Sequence, residues 1–440
     1  ASGYHAAMVI DAVMIGAGQR GHHVYGRYAV TNPDGIRFRA VVDNDPVRLD
    51  RFRAAHPDAV GFTSVEAWTA ADPVTDVAII ASPDRLHHRH ALAALRAGHH
   101  VLLEKPMAAT LEESRAVVAA AAASDRTLVV SHVLRYTPFF TTLNRIVTSG
   151  RLGDIVTVEH RENVSSFHMA HSFVRGNWSR SALSTPMIVQ KCCHDFDVMV
   201  WNLSAPVTRL SSFGSLVHFR PERAPTNAAD RCTDPCPVPD CAFDARQYLN
   251  PSWRDWPIHV LTDDLSREGR LQALANGPYG RCVYTAGSDV VDQQVVTMEL
   301  ASGATAVLVM HGHSGEEGRT MRYDGTRATL RGRFGRDSAI EIIDHGSGAV
   351  EQVAIDASAG GHGGGDSGVM GSFLDALQTG AEPLTTAEES LESHVLAFAA
   401  EAARRRGVVV DVEQFRSGQP QDDQATGPGT QTEAEAGVEA

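Results

Sequence analysis

Lysine is nearly missing from this chain of 440 residues: of its 39 Lys+Arg, only Lys105 and Lys191 are lysines. Arginine keeps its proton in a protein, whereas lysine is a compact ammonium whose pKa falls on burial. Where arginine has replaced almost every other cation, each remaining lysine is either a chance survivor or marks a position that needs a group able to titrate. Positive charge is also outnumbered, because 53 Asp+Glu leave a formal charge of −14. That balance argues against nucleic acid or an anionic membrane as partner. Long apolar runs are absent: none approaches the roughly 20 residues that span a bilayer, and no secretory pattern opens the sequence. A soluble, cytoplasmic protein is expected. Cysteine is sparse, and Cys192, Cys193, Cys232, Cys236, Cys241 and Cys282 are too few for a disulfide scaffold at this length.

With 43% hydrophobic and 21% charged residues, the composition is that of a globular chain of two to three domains at about 150 residues each. Strand signals at Val9–Ile15, Arg37–Asp43, Asp76–Ala81 and His99–Leu103 alternate with helix-like stretches, which predicts an α/β parallel sheet over residues 1–132. From residue 133 to 416 the pattern is α+β. Helical stretches (Pro138–Thr148, Gln190–Leu203) accompany segments that alternate like antiparallel strands: Ile155–Arg161, Val290–Leu300, Thr305–Met310, Ala328–Arg331 and Ala339–Ile343. Residues 220–257 are rich in Pro, Asp and Cys and read as an insertion. The last 24 residues, 417–440, carry five carboxylates and no Lys, Arg or aromatic, so a disordered acidic tail is expected. Cys232, Cys236 and Cys241 could hold zinc with a fourth ligand, but their spacing is not that of a zinc knuckle. No metal is assigned.

Gly16-Ala17-Gly18-Gln19-Arg20-Gly21 is a G-x-G-x-x-G that follows a strand and opens a helix. Glycines permit the tight turn and close backbone approach, and the helix N-terminus favours a pyrophosphate. Asp43 ends the next strand, 27 residues after Gly16, close to the spacing of the acid that accepts hydrogen bonds from the adenosine ribose. Asn44 follows it with no arginine adjacent, which favours NAD over NADP. Ser82-Pro83 ends the third strand where the cofactor should lie, and His87, on the following helix, reads as cofactor-facing. Glu104-Lys105-Pro106 places an acid and a lysine at the carboxyl end of a parallel strand, where doubly wound folds keep their chemistry.

These residues, with Val41–Asp45 (VVDND), Ala81–Pro106 and Arg135–Phe140 (RYTPFF), resemble the Gfo/Idh/MocA family of nicotinamide-dependent oxidoreductases over roughly residues 8–415. The resemblance implies an N-terminal Rossmann domain and a second domain with a large open, mostly antiparallel sheet that commonly forms a homo-oligomer interface in dimers or tetramers. It also implies that Lys105 holds the reacting hydroxyl with Glu104 beside it. Many members carry Asp four residues before a helical His and Asp three after it. Here His194 and Asp197 fit, but Gln190 stands at the first position, followed by Lys191. Three apart on one helical face, Lys191 and His194 are the expected proton-handling pair, with Lys105 lowering the pKa of Lys191. Lys191 neutralising a carboxylate, or His194 serving as a structural residue, are the plainer alternatives.

Glu162–Arg180 gathers His168, Arg175 and Trp178, the residue types that read a sugar or an anion, and Tyr136 is a further pocket candidate. His362 and Asp366 flank a glycine run, with Asp366 either a helix cap or a pocket residue. Three readings follow. The first is NAD-dependent hydride transfer on a sugar or glycoside; it extends to a redox-neutral glycosidase that oxidises, eliminates, adds water and reduces again, as the resembling NAD-dependent sulfoquinovosidases do on an anionic glycoside. The second is a plain sugar or inositol dehydrogenase releasing NADH. The third is a non-catalytic NAD sensor, against which Lys105 and His194 argue, because a sensor needs neither.

Overall fold

A computed structural model describes residues 9–356 and 361–419, so all but the first three residues of the expected tail lie outside the described residues. Strands β1 (Ile10–Ile15), β2 (Ile36–Val42), β3 (Val60–Phe62), β4 (Val77–Ile80), β5 (His100–Leu103) and β6 (Leu128–Val130) form a parallel sheet in the order β3-β2-β1-β4-β5-β6. Val13, Met14 and all of β4 are fully buried, as strands covered by helices on both faces must be. The strand order reverses between β1 and β4, and sheets of this kind take ligands in the crevice beyond the strand ends at that point.

Late chain completes this layer. The helix Gly365–Thr379 buries Val369, Met370, Phe373 and Leu374 against Tyr25, Phe38 and Phe52 of the first sheet's core. The Thr385 carbonyl accepts from the Val130 N–H at 3.0 Å. The apolar periodicity of that helix is therefore spent on a sheet more than 200 residues earlier in the chain.

Strands β7 (Ile155–Ser165), β8 (Val207–Ser215), β9 (Gln293–Leu300), β10 (Thr305–Ser314), β11 (Gly318–Gly325), β12 (Ala328–Phe334), β13 (Ala339–Asp344), β14 (Val350–Val353) and β15 (Val410–Asp411) form the second sheet, ordered β14-β13-β12-β11-β7-β10-β9-β8-β15. Only β7 and β10 run parallel. The helices Met187–Leu203 and Ala387–Arg406 pack into the core of this sheet with Val158, Leu308, Met310, Tyr323 and Leu330. Alternation along β7 buries Val158, His160, Glu162 and Val164, and β11 buries Arg319, Met321 and Tyr323. The register pairs Arg319 with Glu162, so a row of polar groups lies inside the second domain.

The insertion runs beyond the expected Pro257. Ala245, Tyr248, Ile258, Leu274 and Tyr279 make its own small core. At its centre Arg270, 1% exposed, donates to the carbonyls of Leu265, Tyr248, Asn250 and Trp253 at 2.6–3.1 Å. Among the described residues no three His, Cys, Asp or Glu side chains gather as a metal site, and Cys232 lies instead 3.6 Å from the Arg175 guanidinium. No helix among the described residues is long and apolar enough to cross a membrane.

Candidate active site

The glycine turn after β1 is built by contact. Gly16 has φ +96, and a side chain there would strike the Ser82 backbone at 2.6 Å; a Cβ on Gly21 would stand 1.9 Å from the Gly16 carbonyl. Gly18 differs: a Cβ there would meet nothing within 4 Å. The turn is thus packed at two glycines and open at the third, as a backbone that must admit a ligand requires. Gln19 Oε1 is buried without a hydrogen-bond partner among the described residues. The Asp43 carboxylate, at the end of β2, accepts from the Ala17 N–H at 2.8 Å and the Asp45 N–H at 3.0 Å, which fixes it against the turn. Asn44 and Pro83 are exposed. An open glycine, a fixed acid and an orphaned amide oxygen fit a bound dinucleotide.

Arg20 is otherwise engaged. Its Nε reaches Glu104 Oε1 at 2.5 Å and its Nη2 reaches Asp366 Oδ1 at 2.9 Å. It joins the glycine helix, the end of β5 and the late helix Gly365–Thr379, so its guanidinium is committed to this ion pairing. Asp366 is not the helix cap, which is Gly364; it also accepts from His362 Nδ1 at 3.1 Å. His87 is corrected as well. Buried, it places Nδ1 2.7 Å from the Pro106 carbonyl and Nε2 2.8 Å from the Ser82 carbonyl, so it braces the β4 and β5 turns instead of facing the cofactor. Ser82 Oγ is paired with His90 Nδ1 at 2.9 Å.

Beyond β5, Glu104 is buried and accepts from the Tyr25 hydroxyl at 2.5 Å. Burial works to raise its pKa, but Arg20, the Tyr25 hydrogen bond and Lys105 hold it below the ordinary carboxylate value. Lys105 crosses to the second domain, where Nζ donates to the Gln190 carbonyl at 2.9 Å and stands 5.8 Å from the Trp178 ring centroid. Its pKa is lowered, by burial first, with Lys191 and Arg20 adding to the effect. His194, on the same helix as Gln190, lies edge-on to His132 with ring centroids 5.7 Å apart. Burial, and then the Lys105 charge, push His194 well below the ordinary imidazole value, so it is neutral near pH 7. Its Nδ1 is buried and has no hydrogen-bond partner among the described residues.

Lys191 does not behave as the sequence suggested. Its Nζ lies 3.4 Å from Glu162 and 3.2 Å from Glu317. Burial would lower its pKa, but those two carboxylates outweigh burial and raise it. The expected downward shift under Lys105 is therefore reversed, and Lys191 is a fixed cation. Glu162 is fully buried; burial raises its pKa against the pull of Arg319 and Lys191. Arg319 pairs with both Glu162 and Asp195, and Asp195 also takes His160 Nε2 at 2.8 Å. Asp197 receives Arg135 in two hydrogen bonds of 2.9 and 2.7 Å. Sequence reasoning passed over Glu162, Glu317, Arg319 and His132. The alternation of Glu162 with His160 and Val164 was the one signal for its inward position.

The substrate candidates divide. Trp178 faces Lys105, and His168 Nδ1 bonds Glu317 at 2.9 Å beside Lys191. Arg175 is excluded: it is buried, and it donates to the carbonyls of Arg281 at 2.7 Å and Phe243 at 2.6 Å, so it fastens the insertion. The Tyr136 hydroxyl lies 2.8 Å from Thr385 Oγ1 and its ring packs on the first sheet's core.

Residues 10–132 match the oxidoreductase family model described by its NAD-binding Rossmann fold, and residues 145–412 match the C-terminal alpha/beta domain of the same family. The chain belongs to the Gfo/Idh/MocA oxidoreductase family. Inositol 2-dehydrogenase 1 of Saccharopolyspora erythraea is 31% identical over 234 residues, which is 52% of this chain and 62% of that enzyme. Among solved structures, an NAD-binding oxidoreductase from Klebsiella pneumoniae has TM-score 0.68 at 17% identity and covers 92% of this chain and 99% of its own. An Agrobacterium radiobacter oxidoreductase solved with NAD+, L-tartaric acid and magnesium has TM-score 0.67 at 16% identity, with 92% and 99% covered. This Gfo/Idh/MocA oxidoreductase thus carries an NAD-binding Rossmann domain.

Proposed function

We propose that this oxidoreductase removes hydride from a hydroxyl-bearing ring carbon of a sugar or glycoside. The observation that carries the reading is the pairing across the domain cleft: Lys105, anchored on the Gln190 carbonyl and over Trp178, lies within electrostatic reach of a neutral His194 whose Nδ1 lacks a partner. An aromatic face beside a cation suits a polyol, because the ring takes the C–H surface while the ammonium grips a hydroxyl. Lys105 holds that hydroxyl and stabilises the negative charge that develops on its oxygen. His194 Nδ1 takes its proton. Bound NAD supplies the hydride acceptor. Lys191, held cationic by Glu162 and Glu317, keeps the local field positive without taking the proton itself.

A redox-neutral glycosidase is the second reading. An oxidised ring acidifies the neighbouring C–H, so a second base can eliminate the aglycone before water adds and the ketone is reduced back. Buried Glu162, its pKa raised beside Lys191, supports it as that base. The geometry favours a neutral glycoside over a sulfoquinovoside. Arg175 is spent on carbonyls, and Arg20, Arg135 and Arg319 are each committed to carboxylates. Incubating the protein with NAD and a panel of neutral and sulfonated sugars and glycosides separates the readings. NADH accumulation supports the plain dehydrogenase, and aglycone release without it supports the glycosidase. NAD binding with no turnover on any member would leave the sensor reading. Homo-oligomerisation through the uncovered face of the second sheet, where Phe213 is 73% exposed, is the corresponding reading of assembly, checked by light scattering.

A further inference from the structure

The insertion of the second domain reaches back onto the first. Trp256 packs against His168 with ring centroids 5.1 Å apart and against His171 at 5.4 Å, and His168 leads through Glu317 to Lys191. The short helix Ile258–Leu261 follows. From it His259 stacks on His23 at 4.3 Å with the rings 19° from parallel, and His23 lies in the first turns of the glycine-loop helix. Asp263 then pairs with Arg51, and Arg51 Nη2 donates to the Ala17 carbonyl inside the glycine turn at 3.0 Å. One stretch of chain therefore touches the lysine end of the cleft and the glycine turn.

We propose that residues 256–263 form a strap that retains the dinucleotide between turnovers. The proposal rests on the reading above that NAD is the bound cofactor of a sugar oxidation. The strap is a built element, since buried Arg270 ties the carbonyls of Trp253 and Leu265 on either side of it. Its ring stack meets the glycine-loop helix at His23, and its ion pair meets Arg51 on the helix Pro46–Ala55, which in turn donates to the Ala17 carbonyl of the turn. Burial first, and then neighbouring charges, lower His23 to about 4, so the His23 ring of that stack is neutral near pH 7. Release of a cofactor seated on the turn requires these contacts to open. The two electrons taken from a sugar are then returned to a sugar in the same site, so for a glycoside the balance is glycoside plus water giving free sugar plus aglycone alcohol.

The test uses the full chain loaded with NADH. Release is followed by the loss of NADH fluorescence after mixing with excess unlabelled NAD, and the fold is checked by circular dichroism. A ring stack and an ion pair together are worth about tenfold in release rate, so the His259→Ala/Asp263→Ala double variant releases NADH about tenfold faster than the parent. His259→Ala alone falls between them, and serves should the double variant not fold. Arg246→Ala, in the same insertion but paired only with Asp244, leaves the rate unchanged. Unchanged release in the folded His259 and Asp263 variants overturns the strap while leaving the proposed function standing. Failure of the parent chain to bind NADH at all overturns both.

Discussion

The ammonium of Lys105 donates to the carbonyl of Gln190 at 2.9 Å, so the lysine of the first domain ends on the residue next to the lysine of the second. Both are half-buried, yet they are shifted in opposite directions: Lys105 falls and Lys191 rises. The difference lies in their partners. Lys191 has two carboxylates within 3.4 Å, whereas the Lys105 ammonium has a carbonyl and a ring. Lys105→Met and Lys105→Arg should both lose turnover by roughly 10²–10³-fold, the range for a lost group that stabilises a developing oxyanion. NADH binding, followed by fluorescence, should change little.

Lys191→Met leaves buried Glu162 without its lysine. Breaking a buried pair on one side costs about 3–5 kcal/mol, and urea unfolding should read a loss of that order. Adding Glu162→Gln removes the stranded charge and should recover much of the loss. If the double variant is as unstable as the single one, Lys191 contributes by packing and not by charge.

The two glycines of the turn should behave differently. Gly21→Ala drives a Cβ into the Gly16 carbonyl at 1.9 Å and should cost on the order of 3 kcal/mol by overpacking. Gly18→Ala points into open space; its stability should stay within about 1 kcal/mol of the parent, while NAD affinity falls. Thermal melts with and without NAD separate the two.

Stability should fall as pH drops from about 6.5 toward 4. Burial lowers His90 to about 4 and His171 and His394 to about 3 in the fold, while the unfolded chain takes up protons near 6.5. The unfolded state therefore binds more protons across that window, and stability rises with pH within it. Tm measured from pH 4 to 8 should climb and then level off. A flat profile would mean that these rings are not held neutral.

Arg175→Ala should loosen the insertion and leave the choice of substrate alone. It removes donors from the Arg281 and Phe243 carbonyls, and each such bond from a charged donor is worth about 1.5–3 kcal/mol. A lower Tm is expected, with an unchanged ratio of activity on neutral and sulfonated glycosides. A changed ratio would return Arg175 to the pocket.

Much of the first domain was legible in the linear chain because its determinants are local. A strand apolar on both faces, a glycine turn and an acid at the next strand end are short patterns, and Gly16–Gly21, Asp43 and Glu104–Lys105 follow from them. The second domain was legible only in part. Gly318–Gly325 alternates polar with apolar residues, but Arg319 is one of its inward positions, which masks the period of a buried strand. What a charge does depends on what lies opposite. Arg20, His87 and Arg175 have the residue types of ligand binders, and only the folded chain shows their donors already taken by Glu104, Asp366 and backbone carbonyls.

Composition alone singled out Lys105 and Lys191, since a chain that uses arginine nearly everywhere leaves few reasons to keep a lysine. Tertiary structure decided that Lys105 is shifted down and Lys191 up. Register across β7 and β11 sets Glu162 beside Arg319, the helix Met187–Leu203 brings Lys191 onto that pair, and a pKa is set by burial and by the charges within a few ångströms. Neighbours from distant parts of the chain cannot be counted along it.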